Sequence, residues 1–467
     1  MRKTSLEDMT IRKLGLDDDE TLTREAINSY QLYKLRETVD YAKENSPYYR
    51  RHLKGLSGST LAGLKDINCF PFTVPDDLRK NSLDFLCVSH SNVARVVTVN
   101  TTDGDITGFA DTQTPLQLVA LNSSGTTSEP KRLYFTEEDL ELTVDFFQYG
   151  MADLVETGQR VLILMPGDRP GSVGDLLVKG LERMGVEGRV HGQVVNPSET
   201  IKEIIDFKAD CLVGIPAQLL ELIRHSDARN VPPGTVKSIL LSTDYVPAAV
   251  VREVQKIWYC PVFNHYGMTE TGLGGGVECR ALSGYHLREA DLYFEIIDPE
   301  TGSPRPDGEL GEIAFTTLTR KGMPLIRYRT GDLARFLPEP CPCGTVLKRM
   351  EKVRGRLGST VSLGGGKSLS ISDLDEAIFP VPAIMNYRAG VSGRKGNEIL
   401  DISLHVIPGA ERHAVSSVLE ALLELKTIRE VFGESRLILT GVVNDRSIRP
   451  SRGTAKRTIS DSREMND

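Results

Sequence analysis

Residues 121–131 read LNSSGTTSEPK, a run of small hydroxyl side chains that ends in a basic residue. Ser123, Ser124, Thr126 and Thr127 offer hydroxyl donors, Gly125 admits close approach of the backbone, and Lys131 adds charge. Such a loop can cradle a triphosphate through side-chain and main-chain donors. The same composition also suits a polar surface turn. It is not a Walker A loop, because no Gly-Lys-Ser/Thr follows a four-residue spacer. In NHYGMTETG (264–272), Tyr266 can stack on a flat base and Glu270 can hold a metal ion between phosphates. Taken alone, the stretch is equally a strand-end turn. In RYRTGDLARF (327–336), Asp332 can accept hydrogen bonds from both ribose hydroxyls, although Gly331-Asp332 by itself is only a turn. VECRALSGYH sets Cys279 and His286 seven residues apart, and CPCG supplies Cys341 and Cys343. Three soft thiolates and an imidazole suit structural zinc. Three buried free cysteines and a surface histidine are the alternative.

These residues need elements to hold them. A chain of 467 residues exceeds one ordinary core, so two or three domains are expected. Its 40% hydrophobic and 26% charged content is that of a soluble globular protein. A net charge of −8 without a long basic block argues against nucleic acid or an anionic membrane surface as partner. The segment MRKTSLEDMTIRKLGLDDDE lacks the apolar core of a secretory signal, and seven sparse cysteines fit a reducing cytoplasm. No apolar run reaches the length of a membrane span.

The first hundred residues read as mainly helical, with SYQLYKLRETVDYAKEN carrying apolar residues at three-to-four spacing. Then RVLILMP, DCLVGIP, SILLSTD and PVFNHYG alternate with the helical patterns GDLLVKGLERMG, SETIKEIIDFK, AQLLELIRH and AAVVREVQKIW. Buried strands alternating with helices predict a mainly parallel sheet covered on both faces, with its site at the carboxyl ends of the strands. From about Tyr285, LYFEIIDPETG, GELGEIAFTTL and MPLIRYRTGDLARF predict a β-rich subdomain. The glycine-rich stretch that begins at Arg354 reads as a hinge, followed by a small α+β unit. The division is therefore 1–353, a hinge at 354–366, and 367–467. VVTVNTT (96–102) faintly echoes LVALNSSGTT (118–127), which reads as chance rather than as a repeat.

SSGTTSEPK, YGMTE and YRTGDL, in this order and at these distances, resemble the adenylate-forming superfamily, and more closely its phenylacetate-coenzyme A ligase branch. NSPYYRRHL and PFTVPDDLRKN resemble that branch's N-terminal segments, so the resemblance covers nearly the whole chain. It implies a large α/β adenylating domain with mainly parallel sheet layers and a β-rich subdomain, and a small mobile α+β C-terminal domain. It also implies two steps: ATP and a small carboxylic acid give an acyl-adenylate, and coenzyme A then takes the acyl group. An amine or a carrier protein is the alternative acceptor. Carried over, Ser123, Ser124, Gly125, Thr126, Thr127 and Lys131 handle phosphates, Tyr266 flanks adenine, and Thr269 reaches the α-phosphate. Glu270 binds magnesium, and Asp332 and Arg356 hold the ribose. Asp244, Tyr245, His265 and Gly267 would line the acid's end of the site. Some members of the branch resemble this chain at the cysteines, which implies that Cys279, His286, Cys341 and Cys343 bind a structural zinc. A cytoplasmic enzyme is expected, and a homodimer is an allowed assembly.

The chain also departs from the pattern. Ser128 replaces a glycine of the phosphate loop, and TTDGDITGFADTQTP (101–115) looks like an insertion before it. LLSTDYVP stands where relatives carry a Gly-Glu segment, and the hinge Gly355-Arg356-Leu357-Gly358-Ser359 lacks the usual two carboxylates. In SRGTAKRTISD, Thr454 stands where the resemblance expects the lysine that steadies adenylation. Lys456, two residues on, is the candidate to replace it, because two residues along a strand share a face. If it does not, a nucleotide-binding homologue without turnover is the alternative.

Overall fold

The protein is described from a computed structural model, over residues 3–17, 20–88, 93–99, 116–123, 131–394, 396–433, 436–442 and 457–463. The N-terminal part is helical as expected: α1 (Ser5–Leu14), α2 (Arg24–Asn45), α3 (Pro47–His52) and α4 (Pro75–Asn81). Its exception is β1 (Val93–Val99), which joins β2 (Leu116–Ser123) and β3 (Lys131–Phe135) in a three-stranded sheet. The faint sequence echo is the register of this sheet. β1 and β2 run parallel, with Val96 opposite Leu118, Val97 opposite Val119 and Val99 opposite Leu121.

The alternating region folds as its periodicity predicts. β4 (Arg160–Ile163), β5 (Glu187–Val190), β6 (Cys211–Gly214), β7 (Ser238–Leu241) and β8 (Val262–Tyr266) are parallel neighbours in the order β5-β4-β6-β7-β8. Helices α5 (Glu137–Met151), α6 (Val173–Glu182), α7 (Pro197–Phe207), α8 (Pro216–Arg224) and α9 (Ala248–Ile257) accompany them. Every side chain of β6 and β7 is buried, as expected for strands covered on both faces.

Two antiparallel strands, β9 (Gly276–Glu278) and β10 (Tyr285–Leu287), extend this sheet beyond β8. The β-rich part then contributes β11 (Leu292–Ile297), β12 (Gly311–Thr317) and β13 (Tyr328–Ala334). The short β14 (Phe336–Leu337) and β15 (Arg349–Met350) return to the large sheet, which has nine strands among the described residues, while β16 (Gly355–Arg356) pairs with β13.

Past β16 come the short pair β17 (Val361–Ser362) and β18 (Ser368–Leu369), and then α10 (Ile371–Ile378). A four-stranded sheet follows in the order β21-β20-β19-β22, built from β19 (Ile384–Arg394), β20 (Asn397–Val406), β21 (Leu437–Val442) and β22 (Ile459–Asp461). α11 (Glu411–Glu424) and α12 (Lys426–Val431) complete this unit. It docks on α8, where Arg224 donates to the carbonyl oxygens of Phe379 at 2.6 Å and Val381 at 3.2 Å. An apolar core runs on from Leu219 and Leu222 of α8 to Ile378 and Ile384. No helix among the described residues is long and apolar enough to cross a membrane.

Candidate active site

The carboxyl ends of β7 and β8 carry part of the candidate site, where loops of a parallel sheet form binding sites. β8 ends at Tyr266, and the chain turns through Gly267 into a short 3-10 turn, Thr269–Thr271. A Cβ on Gly267 would lie 2.5 Å from the carbonyl oxygen of Leu273 and 2.7 Å from the His265 ring, so only glycine lets the turn close this tightly. The turn buries Glu270 beneath it, while Thr269 stays partly exposed.

Glu270 meets Lys131, the first residue of β3, in a buried ion pair. The Tyr328 hydroxyl closes a triangle: it donates to Glu270 Oε1 at 3.0 Å and accepts from Lys131 Nζ at 3.0 Å. Burial would raise the Glu270 pKa, but the Lys131 charge and the hydrogen bonds outweigh it, and the carboxyl titrates below its usual range. Three sequence motifs thus meet through one buried carboxylate. Tyr328 was not among the candidate residues. Its signal was the tyrosine that opens YRTGDL, on a strand whose alternation points it inward.

A second cluster lies on the same face of β13. The Tyr266 hydroxyl donates to Asp332 Oδ2 at 3.2 Å, and Arg356 Nε lies 3.8 Å from Asp332 Oδ1. Asp332 and Arg356 are direct partners in the β13–β16 ladder, which brings the 355–356 segment onto the YRTGDL motif. Gly331, just before Asp332 in β13, has φ 78°, a conformation that glycine adopts without a Cβ penalty. Tyr266 is almost fully buried, with its ring 5.9 Å from that of Tyr285. Burial and the neighbouring Asp332 hold its phenol well above the ordinary range.

On the other side of β8, His265 Nδ1 lies 2.8 Å from Ser242 Oγ, and its ring sits 5.7 Å from Phe146. Burial lowers the His265 pKa to about 4, so the imidazole is neutral. Asp244 and Tyr245, expected near the acid, are already engaged. Asp244 pairs with Arg457 at 3.4 Å, and the Tyr245 hydroxyl donates to Glu376 at 2.9 Å. Ser124, Gly125, Thr126, Thr127, Thr454 and Lys456 lie outside the described residues, and Ser123 is placed only by its backbone pairing with Lys131.

The four expected zinc ligands form one buried cluster, with ligand atoms all within 4.8 Å of one another. Cys279 Sγ lies 3.7 Å from Cys341 Sγ, and Cys343 Sγ lies 3.5 Å from His286 Nε2. A disulfide would need about 2.05 Å between sulfurs. A tetrahedral ion with Zn–S bonds of about 2.3 Å separates its sulfurs by roughly 3.8 Å, so the donor set fits zinc in chemistry and spacing. The cluster is tied to the site through Glu278, the neighbour of Cys279. Glu278 Oε2 accepts from the Asn264 amide nitrogen at 2.9 Å and from Asn264 Nδ2 at 2.8 Å, two residues before Tyr266.

Residues 118–318 match the AMP-binding enzyme family. The chain is 30% identical over 381 residues to a phenylacetate-coenzyme A ligase of Aromatoleum evansii, covering 79% of each chain. It is 29% identical over 395 residues to a phenylacetate-coenzyme A ligase of Thermus thermophilus, covering 81% of this chain and 80% of the relative. In fold it is similar to 2-hydroxyisobutyryl-CoA ligase in complex with 2-HIB-AMP, with a TM-score of 0.75 at 19% identity, covering 95% of this chain and 91% of that one. The motif order, the nine-stranded sheet with its strand-end site and these relatives agree: the chain belongs to the adenylate-forming AMP-binding enzymes, in their phenylacetate-coenzyme A ligase branch.

Proposed function

We propose that this protein uses ATP to join an aryl or other carboxylic acid to coenzyme A in two steps. First, a carboxylate oxygen attacks the α-phosphorus of ATP, and the bond to the departing pyrophosphate breaks. The thiol sulfur of coenzyme A then attacks the acyl carbon, AMP leaves with the bridging oxygen, and the thiol proton is lost. The observation that carries this reading is the meeting of Lys131, Glu270 and Tyr328 beside Tyr266, Asp332 and Arg356.

In this reading Lys131, with Ser123, Ser124, Gly125, Thr126 and Thr127, offsets phosphate charge, and Thr269 faces the α-phosphate. Tyr266 borders the adenine, and Asp332 and Arg356 orient the ribose. His265 and Gly267 form the floor of the acid's end, with Asp244 and Tyr245 at its rim. Magnesium, when bound with nucleotide, supplies positive charge between the phosphates. Glu270 fits it, because magnesium takes one or two carboxylates and fills its shell with phosphate oxygens and water. Residues 354–366 serve as the hinge between 1–353 and 367–467.

Cys279, His286, Cys341 and Cys343 hold one zinc ion with all four positions filled, a structural rather than a catalytic role. No disulfide joins any of the seven cysteines, which suits a cytoplasmic setting.

The test is to incubate the purified protein with ATP, magnesium, coenzyme A and single acids, and to identify the product by mass spectrometry. An acyl-coenzyme A thioester with stoichiometric AMP is expected. Acyl-adenylate without thioester would point to an amine or a carrier protein as acceptor. A second reading, nucleotide binding without turnover, is favoured by Thr454 at the expected lysine position.

A further inference from the structure

The turn that carries Glu270 borders a small half-open cavity with room for roughly one occupant of water size. Its walls come from α5, from the end of the turn at Gly272, from the connection between β10 and β11, and from the segment after β12. None of the residues assigned above to nucleotide, acid or zinc lines it.

Two guanidiniums, Arg288 and Arg320, do line it, and they differ in their partners. Arg288 is saturated. Its Nε donates to Asp291 Oδ2 at 2.7 Å, its Nη1 to the carbonyl oxygen of Gly274 at 3.4 Å, and its Nη2 to that of Leu142. Asp291 is saturated as well, because it also takes Lys13 at 2.7 Å and the Thr319 hydroxyl at 2.8 Å. Arg320 is only 6% exposed, and its Nη1 is buried with no hydrogen-bond partner among the described residues. The flat guanidinium rests over Phe135, 4.6 Å from the ring centre. Asp139, the other carboxylate of the cavity, is spent on the backbone. Its Oδ1 accepts from the Lys321 amide at 2.8 Å, and its Oδ2 from the amides of Thr136 at 3.2 Å and Gly322 at 2.9 Å. Burial lowers the Arg320 pKa to about 10, so the group still carries its charge at neutral pH. A buried charge without a direct partner is costly.

Gly272 marks the space that a partner would fill. A Cβ there would lie 3.0 Å from Arg320 Nη2 and 4.0 Å from Arg288 Nη1, so both guanidiniums open onto the same side of the turn. Gly272 also ends the turn. Its amide donates to the Thr269 carbonyl oxygen at 3.0 Å, and its own carbonyl oxygen accepts from the Thr143 hydroxyl of α5 at 2.8 Å.

We propose that this cavity binds one small monovalent anion of the halide class between Arg320 and Arg288, and that the bound ion braces the turn carrying Thr269 and Glu270. A water molecule would fill the space and leave the charge uncompensated. A phosphate, a sulfate or an organic acid is too large for it. The site stands apart from the two-step reading, because it needs neither nucleotide nor acid.

Two measurements on the full chain test this, with bromide as the probe and gluconate, too large to enter, as the counter-salt. Crystals grown without chloride and soaked in bromide should show an anomalous peak against the Arg320 guanidinium; an empty or water-filled cavity overturns the proposal. Hydrogen exchange at 271–273 should slow tenfold or more in bromide relative to gluconate at equal ionic strength, and Arg320→Met should remove that difference. A peak without slower exchange means an adventitious ion only and overturns the bracing role. The same slowing in Arg320→Met places the ion elsewhere and overturns the site. If Arg320→Met does not fold, the two parent measurements decide. Neither readout involves turnover, so failure here leaves the two-step reading intact, and a parent without turnover leaves this site intact.

Discussion

Lys131 and Glu270, 139 positions apart in sequence, form a buried ion pair at the centre of the site, with the Tyr328 hydroxyl bonded to both. A buried pair of this kind is costly to halve. Lys131→Met leaves the Glu270 carboxylate without its cation and should destabilise the protein by about 3–5 kcal/mol. Tyr328→Phe removes one hydroxyl and should cost about 1–3 kcal/mol. Denaturant titration of the two variants checks the order; equal small losses would mean that the triangle does not hold.

The zinc assignment predicts one zinc per chain in protein prepared without chelator, measured by elemental analysis. Cys343→Ser should lose most of it. Because Glu278 joins this cluster to β8, metal loss should also weaken nucleotide binding, although no ligand touches nucleotide in this account. Full nucleotide affinity in zinc-free protein would contradict that coupling.

His265 gives a signed pH dependence. Burial lowers its pKa to about 4, below the ordinary value of 6.5. Between these values the unfolded chain binds a proton that the folded protein does not. Stability from this group is therefore complete above pH 6.5 and falls as pH drops toward 4, by about 1.4 kcal/mol per pH unit. His265→Leu should flatten the acid side of the stability curve, measured by chemical denaturation at pH 7 and pH 5. An unchanged slope would mean that the ring protonates in the fold.

Most of the frame was legible in the sequence because its signals are local. Apolar runs of four to five residues bounded by turns gave β4, β6, β7 and β8, and three-to-four spacing gave the helices between them. Tyr266, Asp332 and Arg356, singled out from separate motifs, lie together in the structure. What could not be read was pairing between distant residues. The echo between VVTVNTT and LVALNSSGTT is a strand register, visible only once β1 lies beside β2. Asp244 carries no local sign that its partner is Arg457, more than two hundred residues away. Tyr328 sits in a quoted motif, yet its role depends on a lysine from the β1–β3 sheet and a glutamate from the 3-10 turn after β8.

The C-terminal departure predicts a pair of opposite effects. If Lys456 supplies the charge that Thr454 cannot, Lys456→Ala should abolish pyrophosphate exchange and leave ATP binding intact, while Thr454→Lys should raise exchange. Exchange in Lys456→Ala at the parent's rate would remove Lys456 from that role.

The central claim is that the clustered motifs activate an acid, and acid-dependent ATP–pyrophosphate exchange across a broad acid panel tests it most directly. The account predicts exchange with at least one acid. It also predicts that Asp332→Ala weakens ATP binding, measured by calorimetry, by about 1.5–3 kcal/mol, as for a lost charge-assisted hydrogen bond. ATP binding without exchange for any acid, in the parent and in Thr454→Lys alike, would contradict it.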